Sequence, residues 1–326
     1  MIISRAPLRL PLAGGGSDLP SFYKEFGGNW ISVTIDKYCY SQATRNFQDK
    51  FFLKYSSYEI VSKILDIKHN LIREALQLEN CPYPLELTFS ADLPGGTGLG
   101  SSASFLVSLL DCLNSYKKSN ISAVELAEKA TKIEMDILGE PIGLQDQYAA
   151  AIGGLNEFTV TKSGKLSWNP LNVSQHNLSN IQDSLLLYFT GFQRDSKLIL
   201  ADQVLKTEAK DMALIDNLNE IKSMTPDVKN ALIDGDSNKL GQLFNSHWEI
   251  KKKRNRNMSN DKIDSFYKTA LKYGAVGGKL VGAGGGGFLL FVVENKVDFR
   301  KKMLNSGLRE IPFRFEFDGV TRSFQN

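Results

Sequence analysis

The sequence predicts an α+β protein of two domains, and three observations carry this prediction. The chain has 326 residues, which is long for a single hydrophobic core. Strand-like and helix-like segments mix along it without the strict alternation of a doubly wound sheet. A polar stretch at about residues 170–183 divides the chain. We therefore expect an N-terminal domain at residues 1–180 and a C-terminal domain at residues 181–326.

In the N-terminal half, a strand leads into a glycine-rich turn. Residues 1–13 alternate apolar and polar side chains, which predicts a strand, and the turn "GGGSDLP" follows at 14–20. β-Branched and aromatic residues predict a long strand at 30–47. The remaining segments are predicted as a helix over 59–79, a strand at 85–90, helices from Ser101 and Ser122, and a short helix followed by a strand within 143–158.

The C-terminal half begins and ends with strands. "SLLLYFT" at 184–190 predicts a strand, and several helices are predicted over 195–273. "GGKLVGAGGGGFLLFVV" at 277–293 predicts a strand, a glycine turn and a second strand, and "PFRFEF" at 312–317 predicts the last strand. The basic run "KKKRNR" at 251–256 is expected on a solvated helix face.

Composition argues against several classes of protein. A hydrophobic content of 42%, a charged content of 23% and a net charge of +3 are typical of a globular protein and do not indicate a nucleic-acid surface. Cys39, Cys81 and Cys112 are widely spaced, which supports neither a disulfide framework nor a zinc site. The apolar N-terminal stretch contains Arg5 and Arg9, which argues against a signal peptide. We expect a cytoplasmic protein with no nucleic-acid or membrane partner, in which the three isolated histidines are structural or exposed rather than catalytic.

The segment "DLPGGTGLGSSAS" at 92–104 can be compared with two known phosphate loops. Gly98 to Ala103 satisfies G-x-G-x-x-A, but Glu125, at the right distance for a dinucleotide site, lies in a capping box with Ser122 rather than at a strand end. A Walker A loop needs a lysine that this loop lacks. A flexible turn before a buried helix does not explain the serines of the first helical turn. Glycine-rich amides at a helix N-terminus favour a triphosphate, whose reactions need Mg²⁺.

Three motifs resemble those of the GHMP kinase superfamily, which includes galactokinase, homoserine kinase and mevalonate kinase. They are "APLRLPLAGGGSDLP" at 6–20, "PGGTGLGSSAS" at 94–104 and "KLVGAGGGGFLLF" at 279–291, and they span nearly the whole chain. Within the superfamily, "TIDKY", "GLQDQYAAAIGGLN" and "YFTGFQRDSK" are most similar to the D-glycero-D-manno-heptose 7-phosphate kinase branch. The resemblance implies a two-domain GHMP kinase fold, with an N-terminal ATP-binding α+β domain, a C-terminal ferredoxin-like domain and an active site between them.

The resemblance also implies roles for individual residues, matched motif by motif. Asp146 matches the catalytic aspartate and Arg9 the basic residue that contacts it, while Ser102 and Glu134 match a magnesium-binding pair. The implied ATP-binding residues are Pro94, Gly95, Gly96, Thr97, Gly98, Leu99, Gly100, Ser101, Ser102 and Ala103. The expected substrate-binding residues are Gly15, Gly16, Ser17, Asp18, Lys37, Arg194, Gly284 and Gly285, with Lys197 as a further candidate to hold a substrate phosphate.

A departure from galactokinase bears on the substrate. Where galactokinases carry Glu-His-Thr-Asp in the first motif, this chain has "GGSD" at 15–18, which opens room for a larger or anionic sugar. The resemblance implies an ATP- and Mg²⁺-dependent kinase that phosphorylates the anomeric C1 hydroxyl of D-glycero-D-manno-heptose 7-phosphate, in the synthesis of nucleotide-activated heptose for surface polysaccharide. The alternatives are a kinase for L-fucose or a hexose, a non-catalytic sugar sensor, and a decarboxylase with the same ATP site. The expected partner is the small sugar phosphate, and a homodimer stays open.

Overall fold

A computed structural model of the chain describes residues 1–81, 83–193 and 196–324. Its strands are β1 (Ile2–Ala13), β2 (Gly28–Arg45), β3 (Phe51–Lys54), β4 (Tyr58–Val61), β5 (Leu85–Ala91), β6 (Leu155–Val160), β7 (Leu166–Pro170), β8 (Leu185–Phe189), β9 (Ala275–Leu280), β10 (Phe288–Val293), β11 (Arg309–Glu310), β12 (Phe315–Glu316) and β13 (Thr321–Phe324). Its helices are α1 (Pro20–Phe26), α2 (Asn70–Leu78), α3 (Ser101–Tyr116), α4 (Ala123–Thr131), α5 (Gln145–Ile152), α6 (Gln175–Ser184), α7 (Ser196–Glu208), α8 (Met212–Ser223), α9 (Thr225–Asp234), α10 (Ser237–Lys252), α11 (Asp261–Lys272) and α12 (Lys296–Leu304). Within these ranges, no helix combines the length and apolar character needed to cross a membrane.

The first sheet is centred on the long pair β1 and β2. Its strand order is β13-β1-β2-β5-β3-β4, while β6 and β12 pair with other parts of β2, and β7 pairs with β6. Pro7 and Pro11 of β1 have no amide hydrogen to donate, and the register between β1 and β2 shifts immediately after each of them. Leu8 and Leu10 are fully buried in a core on one side, whereas Arg9 between them lines a cleft. Burial of each leucine contributes on the order of 2 kcal/mol.

The second sheet has the strand order β11-β8-β10-β9, and every adjacent pair is antiparallel. Along the chain its elements follow as β8, helices α7 to α11, β9, β10, α12 and β11, which is the β-α-β-β-α-β order of a ferredoxin-like domain. Helix α10 lies directly on β9, because a Cβ atom at Gly277 would stand only 1.9 Å from the carbonyl oxygen of Gly241. The predicted α+β class with a ferredoxin-like C-terminal domain is confirmed.

The three largest apolar clusters of the described residues lie on the faces of the two sheets. One lies between the first sheet and helices α2 to α5, and it contains Trp30 stacked on Phe158 at 5.5 Å. The second lies between the first sheet and the second, and includes Ile31, Leu290 and Phe244. The third covers the opposite face of the second sheet. Because the second cluster is shared, the two halves of the chain are packed together around the cleft at their junction.

The predicted helix over 59–79 is wrong in its first half, which forms β4 and a short 3₁₀ turn before α2. The apolar residues there fall near helical spacing, but Ile60 is exposed. Glu59 is the buried residue, and its carboxylate accepts hydrogen bonds from the backbone amides of Lys68 and His69. Pairing of β4 with β3, which the local pattern does not encode, decides the structure of this segment.

The C-terminal end of the chain returns to the first sheet. Of the strand predicted at 312–317, only β12 forms, and β13 follows it as the last strand, while α12 was not predicted. β12 pairs with β2, and β13 pairs with β1. The hydrogen bonds of these two strands therefore attach residues 315–324 to the first sheet. The division at residues 180 and 181 stays a prediction, and these two strands argue for moving the end of the chain to the first domain.

Candidate active site

The loop at residues 92–100 presents backbone amides at the start of α3. Gly98 and Gly100 have φ angles of 84° and 77°, in the left-handed region that glycine adopts most easily. The Thr97 hydroxyl donates to the carbonyl oxygen of Pro94 at 2.9 Å and closes the loop. No side chain caps α3, so the amides of its first turn have no intrahelical partner. Together with the helix dipole they form a site for an anion.

Six of the ten residues predicted to bind ATP line the cleft, and the others support the loop. The six are Gly96, Gly98, Gly100, Ser101, Ser102 and Ala103. Thr97 and Leu99 are buried and anchor the loop, whereas Pro94 and Gly95 lie on its exposed side.

The glycine loop between β9 and β10 packs backbone to backbone against this phosphate loop. A Cβ atom at Gly98 would lie 2.8 Å from the carbonyl oxygen of Val281, and one at Gly287 would lie 2.1 Å from that of Thr97. The two motifs are almost 200 residues apart in the sequence, and their backbones are in direct contact. Each therefore requires glycine at the contact, because a side chain there would collide with the backbone of the other loop.

Gly284 and Gly285, which were expected to bind the substrate, are not among the residues that line the cleft. They lie against Met258, whose carbonyl oxygen accepts a hydrogen bond from the Gly285 amide at 2.9 Å. The residues of this loop that line the cleft are Gly282 and Ala283. The close approach of glycine backbone to the cleft is real, but it occurs earlier in the loop, where the chain leaves β9.

Arg9 and Asp146, which are distant in sequence, form an ion pair on the floor of the cleft. The Arg9 Nε atom donates to Asp146 Oδ1 at 2.7 Å, and Nη2 lies 2.6 Å from the same oxygen. The remaining Arg9 nitrogen, Nη1, donates to the carbonyl oxygen of Gly98 at 2.6 Å. In the described part of the chain no group donates to Asp146 Oδ2, which lies beside Gly100. This oxygen is therefore available to a ligand.

Ser102 and Glu134 are joined by a hydrogen bond at the start of α3. The serine hydroxyl donates to Glu134 Oε1 at 2.7 Å, and the Gln147 amide donates to Oε2 at 2.7 Å. Glu134 lies on a π-helical turn at Lys132–Ile137 that continues α4, an irregularity common at functional sites. Burial, followed by the charges of Asp146 and Glu140, raises the pKa of Glu134. A cation bound nearby would lower the pKa of Glu134 again, because it favours the ionised carboxylate.

The Ser102–Glu134 pair fits a magnesium ion in its donor chemistry. Mg²⁺ prefers hard oxygen ligands, uses only one or two protein carboxylates, and completes its shell with phosphate and water. Among residues 1–81, 83–193 and 196–324 there is no group of three or more His, Cys, Asp and Glu side chains that could hold a metal by itself. A metal here would thus take its other ligands from a bound nucleotide.

Asp18 also lines the cleft, in the loop before α1. Its Oδ1 accepts a hydrogen bond from the Gly16 amide at 3.1 Å, and its Oδ2 accepts one from the Gln145 amide at 3.2 Å. Burial, and then the charge of Asp146, raises the pKa of Asp18. Gly15 and Gly16 line the cleft, whereas Ser17 is buried and its hydroxyl donates to the carbonyl oxygen of Gly14, which holds the loop.

The two lysines proposed to hold a substrate phosphate form ion pairs elsewhere and are not among the residues that line the cleft. Lys37 is not among the residues that line it, and its ammonium group bonds Asp36 at 3.0 Å. Lys197 pairs with Glu140 at 2.5 Å. Arg194 lies outside the described residues.

Sequence reasoning missed a group of basic residues that lines the cleft, namely His247, Lys251, Arg254 and Lys279. The run 251–256 was expected on a solvated face, but Lys251 is only 6% exposed. Positions 247, 251 and 254 share the i, i+4, i+7 spacing of one helix face, which continues the buried stripe of α10. That spacing was the available signal, and the close packing of α10 on β9 explains the burial.

The cleft combines the parts that phosphoryl transfer requires. An anion site, a carboxylate with a free oxygen and an oxygen pair suited to a metal lie around one cavity. This arrangement defines a phosphotransferase that acts on a small molecule.

The chain belongs to the GHMP kinases. The family models described as GHMP kinases N terminal domain and GHMP kinases C terminal match residues 61–154 and 228–307. Kinases of this family use ATP as the phosphate donor. The predicted family membership and phosphotransferase activity are confirmed.

Several relatives are kinases of sugars. The chain is 30% identical over 305 residues to the D-glycero-alpha-D-manno-heptose 7-phosphate kinase of Campylobacter jejuni, covering 90% of this chain and 89% of that protein. It is 25% identical to the L-fucokinase/L-fucose-1-P guanylyltransferase of Bacteroides fragilis, covering 90% of this chain but 35% of that protein. The crystal structure of a D-glycero-D-manno-heptose 1-phosphate kinase from Bacteroides thetaiotaomicron superposes with a TM-score of 0.83 and 26% identity, covering all of both chains.

Proposed function

We propose that this protein transfers the γ-phosphate of ATP to the anomeric C1 hydroxyl of D-glycero-D-manno-heptose 7-phosphate. The product would be the 1,7-bisphosphate, an intermediate towards nucleotide-activated heptose for surface polysaccharide. The observation that carries the proposal is the Arg9–Asp146 pair, which leaves Asp146 Oδ2 free beside Gly100 and the first turn of α3. The likeness to the heptose kinases of Campylobacter jejuni and Bacteroides thetaiotaomicron supports the choice of sugar.

The phosphate loop would hold ATP by its phosphates. Backbone amides at Ser101, Ser102 and Ala103 have no intrahelical partner, so a phosphate oxygen is their natural acceptor. Gly98 and Gly100 let the phosphate groups approach the backbone closely. Binding at this place would direct the γ-phosphate towards Asp146.

Asp146 would act as the base for the acceptor hydroxyl. As the hydroxyl oxygen forms its bond to the γ-phosphorus, the bond from that phosphorus to the β–γ bridging oxygen breaks, ADP leaves, and the hydroxyl proton passes to Asp146 Oδ2. Arg9 holds the other carboxylate oxygen and fixes the orientation of the base. The anomeric hydroxyl belongs to a hemiacetal and is more acidic than a simple alcohol, so a carboxylate suffices as base.

Ser102 and Glu134 would hold Mg²⁺ beside the nucleotide. The bound ion would neutralise phosphate charge during transfer. The Gln147 amide fixes Glu134 by its second oxygen, so the first oxygen keeps its direction towards Ser102.

A panel of acceptors tests the proposal. The protein is incubated with ATP and Mg²⁺ and with D-glycero-D-manno-heptose 7-phosphate, the same heptose without phosphate, L-fucose, or galactose. We expect the heptose 7-phosphate to be used best, and ³¹P and ¹H NMR should show a new phosphate on C1. Turnover of unphosphorylated sugars alone would make the heptose 7-phosphate assignment wrong. Binding of a sugar without any turnover would identify a sugar sensor.

A further inference from the structure

Four basic side chains line the cleft without a role in the chemistry described above. His247, Lys251 and Arg254 lie on α10 or directly after it, and Lys279 lies on β9. His247, Lys251 and Lys279 are 5%, 6% and 2% exposed. We call these four residues the basic cluster.

The basic cluster contains no ion pair within the described ranges. Its hydrogen-bond partners are all neutral oxygens, which belong to Leu12, Gln203, Asn217, Leu280 and Gly282. Arg254 Nη2 and both ring nitrogens of His247 are buried and have no hydrogen-bond partner among the residues that the structure describes. Buried donors without acceptors are rare in folded proteins and call for a ligand.

The charges of the cluster are mutually unfavourable. Burial, and then the charges of Arg254 and Arg9, lowers the pKa of Lys251 to about 7. Burial and the nearby lysine and arginine charges also lower the pKa values of Lys279 and His247 well below their ordinary range. Grouping like charges away from water is costly unless an anion balances them.

The contacts of Arg254 place it beside the loop that contains Gly16 and Asp18. Gly100, at the start of α3, lies beside Asp146, whose charge raises the pKa of Asp18 in the next loop. Asp18 accepts from the Gly16 amide, and a Cβ atom at Gly16 would lie 2.9 Å from Arg254 Nη1. Arg254 therefore lies beside the loop at residues 16–18. Lys251 lies nearer the phosphate loop, because it donates to the carbonyl oxygen of Gly282, and a Cβ atom at Gly282 would lie 2.4 Å from the Cα atom of Gly98. An acceptor that lies along the loop at residues 16–18 with its reacting hydroxyl at Asp146 would bring its other end to Arg254.

We propose that Arg254, Lys251 and His247 form a binding subsite for a phosphate monoester that the acceptor sugar already carries. The inference rests on the proposed sugar kinase activity and adds to it the residues that select a phosphorylated acceptor. The guanidinium fork of Arg254 suits two phosphate oxygens, and its free Nη2 supplies a donor that the protein leaves unused. Lys279 also lines the cleft, and its Nζ atom donates to the carbonyl oxygen of Leu12 at 2.7 Å.

The test compares Arg254→Gln with the wild type on two acceptors, D-glycero-D-manno-heptose 7-phosphate and the same heptose without phosphate. We expect KM for the phosphorylated acceptor to rise roughly tenfold or more, because charge-assisted hydrogen bonds are lost, while KM for ATP stays within about twofold. The preference for the phosphorylated over the unphosphorylated acceptor should fall by the same factor. Arg254→Lys, which keeps the charge, should retain part of the preference.

Lys253→Gln is the matched control, because Lys253 is the exposed neighbour of Arg254 and the substitution removes the same charge. Inorganic phosphate provides a second readout: it should compete with the sugar phosphate on the wild type and on the control, and lose this effect on Arg254→Gln. Thermal unfolding reports whether each variant is folded, and Lys251→Met replaces Arg254→Gln if the latter unfolds.

The outcomes separate the subsite from the proposed function. If heptose 7-phosphate is a good acceptor and Arg254→Gln leaves the preference and phosphate inhibition unchanged, the subsite is refuted and the function stands. A rise in KM for ATP without a change for the acceptor would assign the cluster to the nucleotide and also refute the subsite. If the wild type uses no phosphorylated acceptor, the substrate assignment fails. The subsite then fails as well if inorganic phosphate does not bind to the wild type. It is retained only if inorganic phosphate binds to the wild type and Arg254→Gln abolishes this binding.

Discussion

Replacing Asp146 by asparagine removes the proposed base while keeping its shape. The side chain retains an oxygen that can accept from Arg9, and the first turn of α3 is not altered. We therefore expect ATP to bind with nearly unchanged affinity and turnover to be lost. The size of each effect can be worked out from the contacts of Asp146.

The structural effect of this substitution is small. Arg9 makes two charge-assisted contacts with Asp146 Oδ1 and keeps its separate bond to the carbonyl oxygen of Gly98. Because the Asp146 side chain is 32% exposed, weakening those contacts should lower the free energy of unfolding by only about 1 kcal/mol. Domains are typically stable by about 5–15 kcal/mol, so the variant should remain folded. Loss of a general base typically reduces turnover by about 10²–10⁴-fold.

Turnover is measured as ADP release with the acceptor sugar at saturation, and ATP affinity is measured by calorimetry. Asp136→Asn, the same substitution at an exposed position on the π-helical turn, serves as control and should behave as the wild type. Turnover of Asp146→Asn within about tenfold of the wild type, with ATP binding intact, would contradict the role of Asp146 as base.

Three further substitutions test the metal pair, the interlocked loops and the basic cluster. Ser102→Ala should raise the Mg²⁺ concentration needed for half-maximal activity by about tenfold, because one hard oxygen ligand is lost; unchanged metal dependence would count against that ligand. Gly98→Ala should lower the free energy of unfolding by about 1–3 kcal/mol in denaturant titrations. The reasons are that the new Cβ atom would lie 2.8 Å from a carbonyl oxygen and that Gly98 has a φ angle of 84°. An unchanged free energy of unfolding would show that the loops are less tightly packed. In the folded chain the pKa of Lys251 is about 7, whereas its ordinary value is 10.5. Between these two pH values the unfolded state therefore holds more protons than the folded state, and the free energy of unfolding rises with pH. Lys251→Met should remove up to about 1.4 kcal/mol per pH unit of this rise in phosphate-free buffer, and an identical pH dependence in the two proteins would show that Lys251 titrates normally.

Local patterns in the sequence predicted those features whose physics is local. The capping box at Ser122 and Glu125 is present, with the serine accepting from the Glu125 amide and the glutamate accepting from the Ser122 amide. The start of α3 after a glycine loop was predicted as well, because a helix terminus depends on a few adjacent residues. The order of the three motifs also led to the family without any structural knowledge.

Side-chain positions that depend on strand pairing or on one particular ion pair were not predictable in the same way. Glu59 was placed on a helix, but pairing of β4 with β3 turns it inward to accept amides from the next segment. Lys37 was expected at the substrate, but it bonds its neighbour Asp36 outside the cleft. In each case the local residue types permit two positions; the pairing of β4 with β3 decides the position of Glu59, and the ion pair with Asp36 holds Lys37.

The sequence by itself determined the family, the α+β class and the residue types of the phosphate loop, since these depend on short spacings and on backbone requirements within each motif. Only the tertiary structure decided which charges face the cleft. Lys251 and Arg254 belong to a basic run that solvates easily on an isolated helix, and they line the cleft because glycines at 241 and 277 let α10 lie on β9. The physical reason is that burial of a charge depends on what packs over it, and that packing joins residues remote in sequence.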